Sequence, residues 1–315
     1  MTPVGRSRDL PVPMRVLKKL KRSTVYGGTR LFISLCNRVP RRVAVFVAGW
    51  LGLAAWKLLP RDRYRAHRHL WLVYGDRLSW SQRENLGRTM FVNFGRNLAD
   101  MARMRRHYAS EIRPLVTVEG LEHFDAAYRQ GKGVIGITGH IGNFELMGVH
   151  VASLGYDIAV IGRKMYDARL DQLLVENRRA LGLTNFATTD SPHKVLSWLR
   201  SGRAIGVLID TDSRRVRSMF MPAFGRLSNT PVGQSIIGLR AGAAFVPMAC
   251  LRCGGGRYRI VIRPQVEITA SGDLQADVRR LTLLCTKALE EIIHCHRDQW
   301  IWLHNRWRTP AGIAP

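Results

Sequence analysis

The stretch from residue 133 to 145 reads GVIGITGHIGNFE and sets His140 five positions ahead of a carboxylate, Glu145, at the end of a short apolar run. A neutral imidazole, with an unperturbed pKa of about 6.5, can take a proton from an alcohol. A carboxylate beside it can fix its tautomer and stabilise the imidazolium that forms. The pair contains no serine or cysteine to carry a covalent intermediate, so it points to direct activation of an acceptor hydroxyl, with a nucleophile from elsewhere in the chain left open. The same spacing also fits a plainer arrangement, in which His140 caps a helix and Glu145 is a first-turn acid favoured by the helix dipole.

Residues 134–137 have the length and β-branched content of a buried strand, Gly139 and Gly142 permit a sharp turn, and a helical pattern starts at Phe144. That places His140 and Glu145 at the carboxyl edge of a sheet, where α/β proteins keep their sites. Strands are expected at 115–118, 134–137, 158–161 and 204–209, with helices at 146–154, 168–181 and 193–199 between them. Such alternation predicts an α/β fold with a mostly parallel central sheet flanked by helices. Residues 244–251 and 258–262 flank Gly254, Gly255 and Gly256 as a hairpin, and a last helix runs from about Leu274 to Cys295.

The charge is uneven. Against 23 Asp and Glu stand 49 Lys and Arg, a net +26, and residues 1–110 hold 23 basic and 5 acidic residues. A field of that sign attracts anionic lipid headgroups, nucleic acid or an acidic carrier protein, and charge alone does not choose among them. The lead segment, with Pro3, Pro11, Pro13, Arg15, Lys18, Lys19, Lys21 and Arg22, lacks the apolar core of a signal peptide. Residues 43–59, VAVFVAGWLGLAAWKLL, fall short of the about 20 apolar residues of a spanning helix and contain Lys57. They read as a helix lying in or shallowly inserted into a membrane surface; a short span and a buried core helix are the other readings. Between Gln82 and Arg106, Leu86, Met90, Phe94, Leu98 and Met101 mark a core-facing helix stripe, while Arg83, Arg88, Arg96 and Arg103 on the opposite face could meet lipid phosphates. Residues 1–110 are thus expected to form a basic, helical, membrane-associated region and residues 111–315 the α/β core. The five cysteines, Cys36, Cys250, Cys253, Cys285 and Cys295, are scattered and odd in number, which suits a reducing compartment. Cys250 and Cys253 have C-x-x-C spacing, but no second such pair exists and residues three apart on a strand face opposite ways, so no metal is expected.

Several segments together resemble a known family. The HIGNFE of residues 140–145 resembles the H-x4-D/E motif of glycerolipid and lysophospholipid acyltransferases, in the H-x-G-N-x-E form of the bacterial lipid A late acyltransferases, the lauroyl/myristoyl transferases. Downstream, VIGR at 160–163, Arg178 in an R-x3-G pattern with Gly182, and GVLID at 206–210 agree with that family in order and spacing. So do MPAFG at 221–225 with TPVG at 230–233, AFVP at 244–247, and QWIWLHNRW at 299–307. The resemblance covers roughly residues 40 to 310.

What the resemblance implies is a role at each matching position. His140 would be the general base and Glu145 its orienting partner. Arg163 would stabilise an oxyanion or grip an acceptor phosphate, although a surface salt bridge is its plainer reading. Asn143 and Arg178 would bind substrate. Asp210 would position Arg163 or an acceptor group, or merely cap a turn. Phe224 and Gly225 would shape an acyl groove, unless they are a turn between packed elements. Trp300, Trp302 and Trp307 with Arg306 and Arg308 suit either an interfacial anchor or the closure of an aromatic core.

The implied activity is transfer of a fatty acyl chain from an acyl-carrier-protein or coenzyme A thioester to a hydroxyl of a lipid A precursor or related glycolipid, at the cytoplasmic face of the inner membrane. No cofactor is implied. An acidic carrier protein and an anionic membrane surface both suit the positive field. Relatives that acylate phosphatidylinositol mannosides or amino-acid lipids often carry Asp where this chain has Glu145, so the glutamate favours the lipid A branch. A non-catalytic basic protein binding nucleic acid or membrane is the alternative of another class, but no nucleic-acid module is recognisable and no nucleic acid is expected as a partner.

Overall fold

The computed structural model describes residues 12–214 and 216–310, with side chains from Leu17 on apart from Lys18. Pro3, Pro11 and the side chains of Pro13, Arg15 and Lys18 in the basic lead lie outside the described residues. Four helices come first: α1 (Val12–Arg38), α2 (Arg41–Leu58), α3 (Pro60–Tyr74) and α4 (Trp80–His107). Then follow β1 (Val116–Glu119), α5 (Leu121–Arg129), β2 (Val134–Thr138), α6 (Phe144–Ser153), β3 (Ile158–Gly162), α7 (Ala168–Ala180), β4 (Thr184–Ala187), α8 (Pro192–Arg200) and β5 (Ala204–Leu208). A hairpin of β6 (Ser218–Ala223) and β7 (Arg226–Pro231) precedes α9 (Gly233–Ala241), β8 (Ala244–Arg252), β9 (Tyr258–Ile262) and α10 (Leu274–Cys295).

The main sheet has seven strands in the order β1-β9-β8-β2-β5-β3-β4. Every neighbouring pair is parallel except β8 and β9, the expected hairpin around the three glycines. All five residues of β2 are buried, as a central strand with helices on both faces requires. The expected α/β alternation is therefore the observed one. Sequence periodicity did not foretell α5, β4, α9 or the β6–β7 hairpin.

The helix α2 is buried on one face and exposed on the other. Ala44, Ala48, Gly49, Gly52 and Trp56 are buried, while Phe46 and Trp50 on the other face are 62% and 59% exposed. Among the described residues no single helix is long and apolar enough to cross a membrane. Among the described residues, α2 together with the segment Pro60–Arg77 passes that test by length and composition, and that pair is bent by 88°.

In α4 the expected core-facing stripe holds in part, since Met90 is buried and Leu86 and Met101 pack against the core, and the rest is corrected. Phe94 and Leu98 are exposed, whereas Asn97, Asp100 and Arg103 are buried. Arg103, expected to reach lipid phosphates, binds the Glu111 carboxylate at 2.6 Å and the Val39 carbonyl at 2.7 Å. Arg83 is also occupied, donating to the carbonyls of Gly75 and Leu78. Buried polar side chains hold these positions because each finds a partner, which removes most of the desolvation penalty.

Asp100 shows the same logic. Fully buried, it receives Arg41 at 2.7 Å, Arg252 at 2.6 Å and the Tyr258 hydroxyl at 2.7 Å. Arg252 also donates to Asn97 Oδ1, and Asn97 Nδ2 donates at 2.9 Å to the carbonyl of Gly142. The N-terminal helices are thereby fastened to the turn that follows β2.

Candidate active site

The parallel register of β2 and β5 pairs Thr138 with Leu208. His140 and Asp210 each lie two residues beyond those partners, so a separation of 70 positions becomes a contact. Asp210 Oδ1 lies 2.8 Å from His140 Nδ1, and Oδ2 accepts the His140 backbone N–H at 2.6 Å and the Trp300 indole N–H at 2.8 Å. Two glycines make this approach possible. A Cβ on Gly139 would stand 2.8 Å from Asp210 Oδ2, and one on Gly142, whose φ is +58°, would stand 1.9 Å from the Cys250 carbonyl oxygen.

Asp210 is buried, and His140 keeps 22% of its side-chain surface exposed. Burial pulls the imidazole pKa down, but the Asp210 charge and hydrogen bond, helped by the charge of Glu145, raise it above the usual histidine value. Burial pushes the Asp210 carboxyl up. The facing His140, the more distant charge of His304 and the Trp300 N–H outweigh it and hold the group well below the ordinary carboxylate range. With Nδ1 committed to Asp210, no hydrogen bond among the described residues ends on His140 Nε2. The arrangement can accept a proton at that nitrogen and stabilise the resulting cation.

The expected pairing of His140 with Glu145 is replaced by a different one. Glu145 opens α6, faces α7, and is clamped through both its oxygens by Arg178 Nε, at 3.0 Å, and Nη2. Arg178 also donates to Asn185 on β4, so its guanidinium is occupied. The physical reason is charge compensation: two buried opposite charges from adjacent helices satisfy each other. Asn143 is likewise engaged, capping α6 through Leu146 N at 3.2 Å and donating to the Tyr258 hydroxyl at 3.3 Å. Arg163 lies just past β3 on the same carboxyl edge of the sheet, exposed and without a polar partner among the described residues.

Phe224, at φ +51°, packs on Trp300 with ring centroids 5.4 Å apart, and its N–H donates to Glu290 at 2.7 Å. It belongs to an aromatic cluster with Trp302, Trp307 and His294, and Gly225 follows it as an exposed turn residue. An apolar cavity of about 370 Å³ lies elsewhere, between α2 and α4. Ala48, Ala55, Phe91 and Leu98 form part of its wall, and Ile301 and Leu303 of the C-terminal segment line it as well. Ile301 N–H donates at 3.0 Å to the carbonyl of His140, so one lining residue is hydrogen-bonded to the backbone of the histidine.

The C-terminal segment carries contacts that sequence reasoning did not assign. Trp300 and Trp302 are fully buried, which settles their role as core closure. Arg306 is buried too, donating to Thr230 Oγ1 at 2.9 Å. His304 lies against His140 with ring centroids 3.9 Å apart and planes tilted by 48°. The available signal was the W-x-W-x-H-x-R pattern, which names the residues but not what they touch. Cys250 is buried in β8, and among the described residues no group of three or more His, Cys, Asp and Glu converges to hold a metal.

The family described as bacterial lipid A biosynthesis acyltransferase matches this chain over residues 17–309. Similar proteins include the phosphatidylinositol mannoside acyltransferase of Mycobacterium tuberculosis (strain ATCC 25618 / H37Rv), 26% identical over 194 residues, covering 60% of this chain and 59% of that protein. The lipid A biosynthesis palmitoleoyltransferase of Escherichia coli (strain K12) is 25% identical over 284 residues, covering 87% and 88%. The lipid A biosynthesis lauroyltransferase of the same strain is 23% identical over 286 residues, covering 89% and 90%. The chain thus spans about six-tenths of the mycobacterial relative and nearly nine-tenths of the other two.

Proposed function

We propose that this chain, which belongs to the bacterial lipid A biosynthesis acyltransferase family, moves a fatty acyl chain from a thioester on acyl carrier protein or coenzyme A to a hydroxyl of a lipid A precursor or related glycolipid. The observation that carries the reading is His140, with Nδ1 held by a buried carboxylate at 2.8 Å and Nε2 free. The acceptor hydroxyl gives its proton to Nε2 as its oxygen attacks the thioester carbonyl. The tetrahedral oxyanion then collapses, the C–S bond breaks, and the thiolate leaves and takes up the proton from the imidazolium. Asp210 stabilises that cation throughout. Glu145 acts from one step away: clamped to Arg178, it fixes the start of α6 next to the base.

The α2–α4 cavity takes the hydrocarbon tail, since its walls are apolar and Ile301 joins them to the histidine. Exposed Arg163 meets a phosphate of the acceptor. The apolar outer face of α2, with Phe46 and Trp50 among flanking basic residues, rests on the anionic cytoplasmic face of the inner membrane. The positive field also suits an acidic carrier protein. The similarity to mycobacterial phosphatidylinositol mannoside acyltransferases favours a second acceptor, a mannosylated phosphoinositide, within the same chemistry.

The test is mass spectrometry of products from the purified full-length protein with dodecanoyl-acyl carrier protein, offered host glycolipid or phosphatidylinositol mannoside, beside His140→Ala. A product heavier by one acyl group and absent with the variant is expected. Near-normal turnover by His140→Ala would remove the base from this mechanism.

A further inference from the structure

The reaction described above generates an oxyanion on the thioester carbonyl, and a donor must meet it. Exposed Arg163 stands two strands from β2 and has no anchoring partner among the described residues. His304, by contrast, lies directly on the His140 ring at 3.9 Å. No hydrogen bond among the described residues ends on either of its ring nitrogens, and Nε2 is sealed from solvent without a partner. Leaving a buried polar atom unpaired costs about 1–3 kcal/mol, and such atoms in native structures call for a functional explanation. A phenylalanine would fill this place without that cost.

We propose that His304 is a second catalytic residue: a neutral imidazole whose N–H donates a hydrogen bond to the thioester oxygen as the tetrahedral oxyanion forms. This rests on the acyl-transfer reading. His304 must stay neutral, because a second imidazolium at 3.9 Å would oppose the charge that His140 acquires. The groups facing it are His140, Asp210 and His69. Burial first, then the charge of His140 and of His69, outweigh Asp210 and bring its pKa down to about 4. A neutral imidazole carries one N–H. A sealed nitrogen tolerates an unpaired lone pair better than an unpaired N–H, so the proton resides on Nδ1, which is not sealed. A histidine held neutral by its surroundings is an effective electrophile toward a carbonyl oxygen.

The experiment compares His304→Phe, His304→Gln and His304→Met with His140→Ala, all full length, using dodecanoyl-acyl carrier protein and the acceptor that gives product with the parent. His304→Phe keeps the ring and loses the donor. Its kcat should fall by about 10²–10³-fold with KM changed by less than about threefold, and its Tm should not drop. His304→Gln, which retains an N–H, should exceed the similarly sized His304→Met by at least about tenfold in kcat. A His304→Phe variant with kcat near that of the parent, or equal kcat for His304→Gln and His304→Met, overturns the donor role. If His140→Ala abolishes transfer while the His304 variants retain it, only this inference fails. If His140→Ala retains transfer, the underlying reading fails with it.

Discussion

Asp210→Asn is the sharpest perturbation of the site because the hydrogen bonds around it leave the amide one orientation. Oδ2 of Asp210 receives two N–H donors with no alternative tautomer, the His140 backbone amide at 2.6 Å and the Trp300 indole at 2.8 Å. An asparagine must therefore place its oxygen there and turn its NH2 toward His140 Nδ1, now 2.8 Å from Oδ1. An NH2 group donates, so Nδ1 must present its lone pair and the ring proton moves to Nε2. The proposed base is then blocked at Nε2, the nitrogen assigned to the acceptor. Loss of a positioned general base costs about 10²–10⁴-fold, and the matching Asp→Asn change in a serine-protease triad costs about 10⁴-fold. We expect kcat to fall by about 10³–10⁴-fold, or roughly 4–5.5 kcal/mol of transition-state stabilisation. The residual acid limb of kcat against pH should also move to lower pH. Burial still pulls the His140 pKa down, and the two largest effects that raise it have gone. The assay is thioester-dependent acyl transfer followed by mass spectrometry across pH 5–9. A loss of less than about tenfold, with the acid limb unmoved, would refute the orienting role.

Other outcomes follow from the same contacts. Glu145→Ala strands the buried Arg178 guanidinium, so stability should fall by about 3–5 kcal/mol, or roughly 6–20 °C in thermal midpoint by circular dichroism. A midpoint within about 2 °C of the parent would mean that the clamp carries no load. Ala55→Phe narrows the α2–α4 cavity and should shift donor preference toward shorter acyl thioesters in competition assays; an unchanged chain-length profile would place the tail elsewhere. Phe46→Asp with Trp50→Asp removes two apolar side chains worth about 1.5–3 kcal/mol each, so binding to anionic vesicles should weaken at least about 100-fold in sedimentation assays. Equal binding by the double variant would clear that face of membrane contact. For the pair His140 and Asp210, stabilisation is complete between the unfolded carboxyl and imidazole pKa values, about 3.9 and 6.5. It is lost on acidification through the depressed Asp210 value and on alkalinisation through the raised His140 value, so the stability difference between parent and Asp210→Asn should be greatest in that window.

Local pattern made part of this molecule legible. The apolar run at 134–137 and the glycines after it mark a strand and a turn because those properties are short-range, and β2, β3, β5, β8, β9 and α10 all fall close to where periodicity places them. The β6–β7 hairpin escaped because Pro222 and Pro231 stand in its strands and because Ser228, Asn229 and Thr230 are buried polar residues, which read as loop. In α4 the buried face carries Asn97, Asp100 and Arg103 as well as Met90, so hydrophobic periodicity found only part of it and assigned Arg103 to the wrong side. Charged residues can occupy such a face only when partners arrive from elsewhere, here Arg41, Arg252 and Glu111.

The carboxylate on His140 illustrates the harder limit. Within the H-x4-E segment the nearest acid in sequence is Glu145, and sequence proximity favours it. On a helix starting at Phe144, however, Glu145 faces α7, and Arg178 satisfies it there. Asp210 reaches His140 only because β2 and β5 are adjacent, parallel and aligned at Thr138 and Leu208, three facts that belong to the sheet and to no local window. The chain passes through α6, β3, α7, β4 and α8 before β5 returns beside β2. Trp300 then reaches the same carboxylate from beyond α10, at 90 positions' separation. Three distant segments thus converge on one oxygen pair, and the tautomer of His140 depends on all of them.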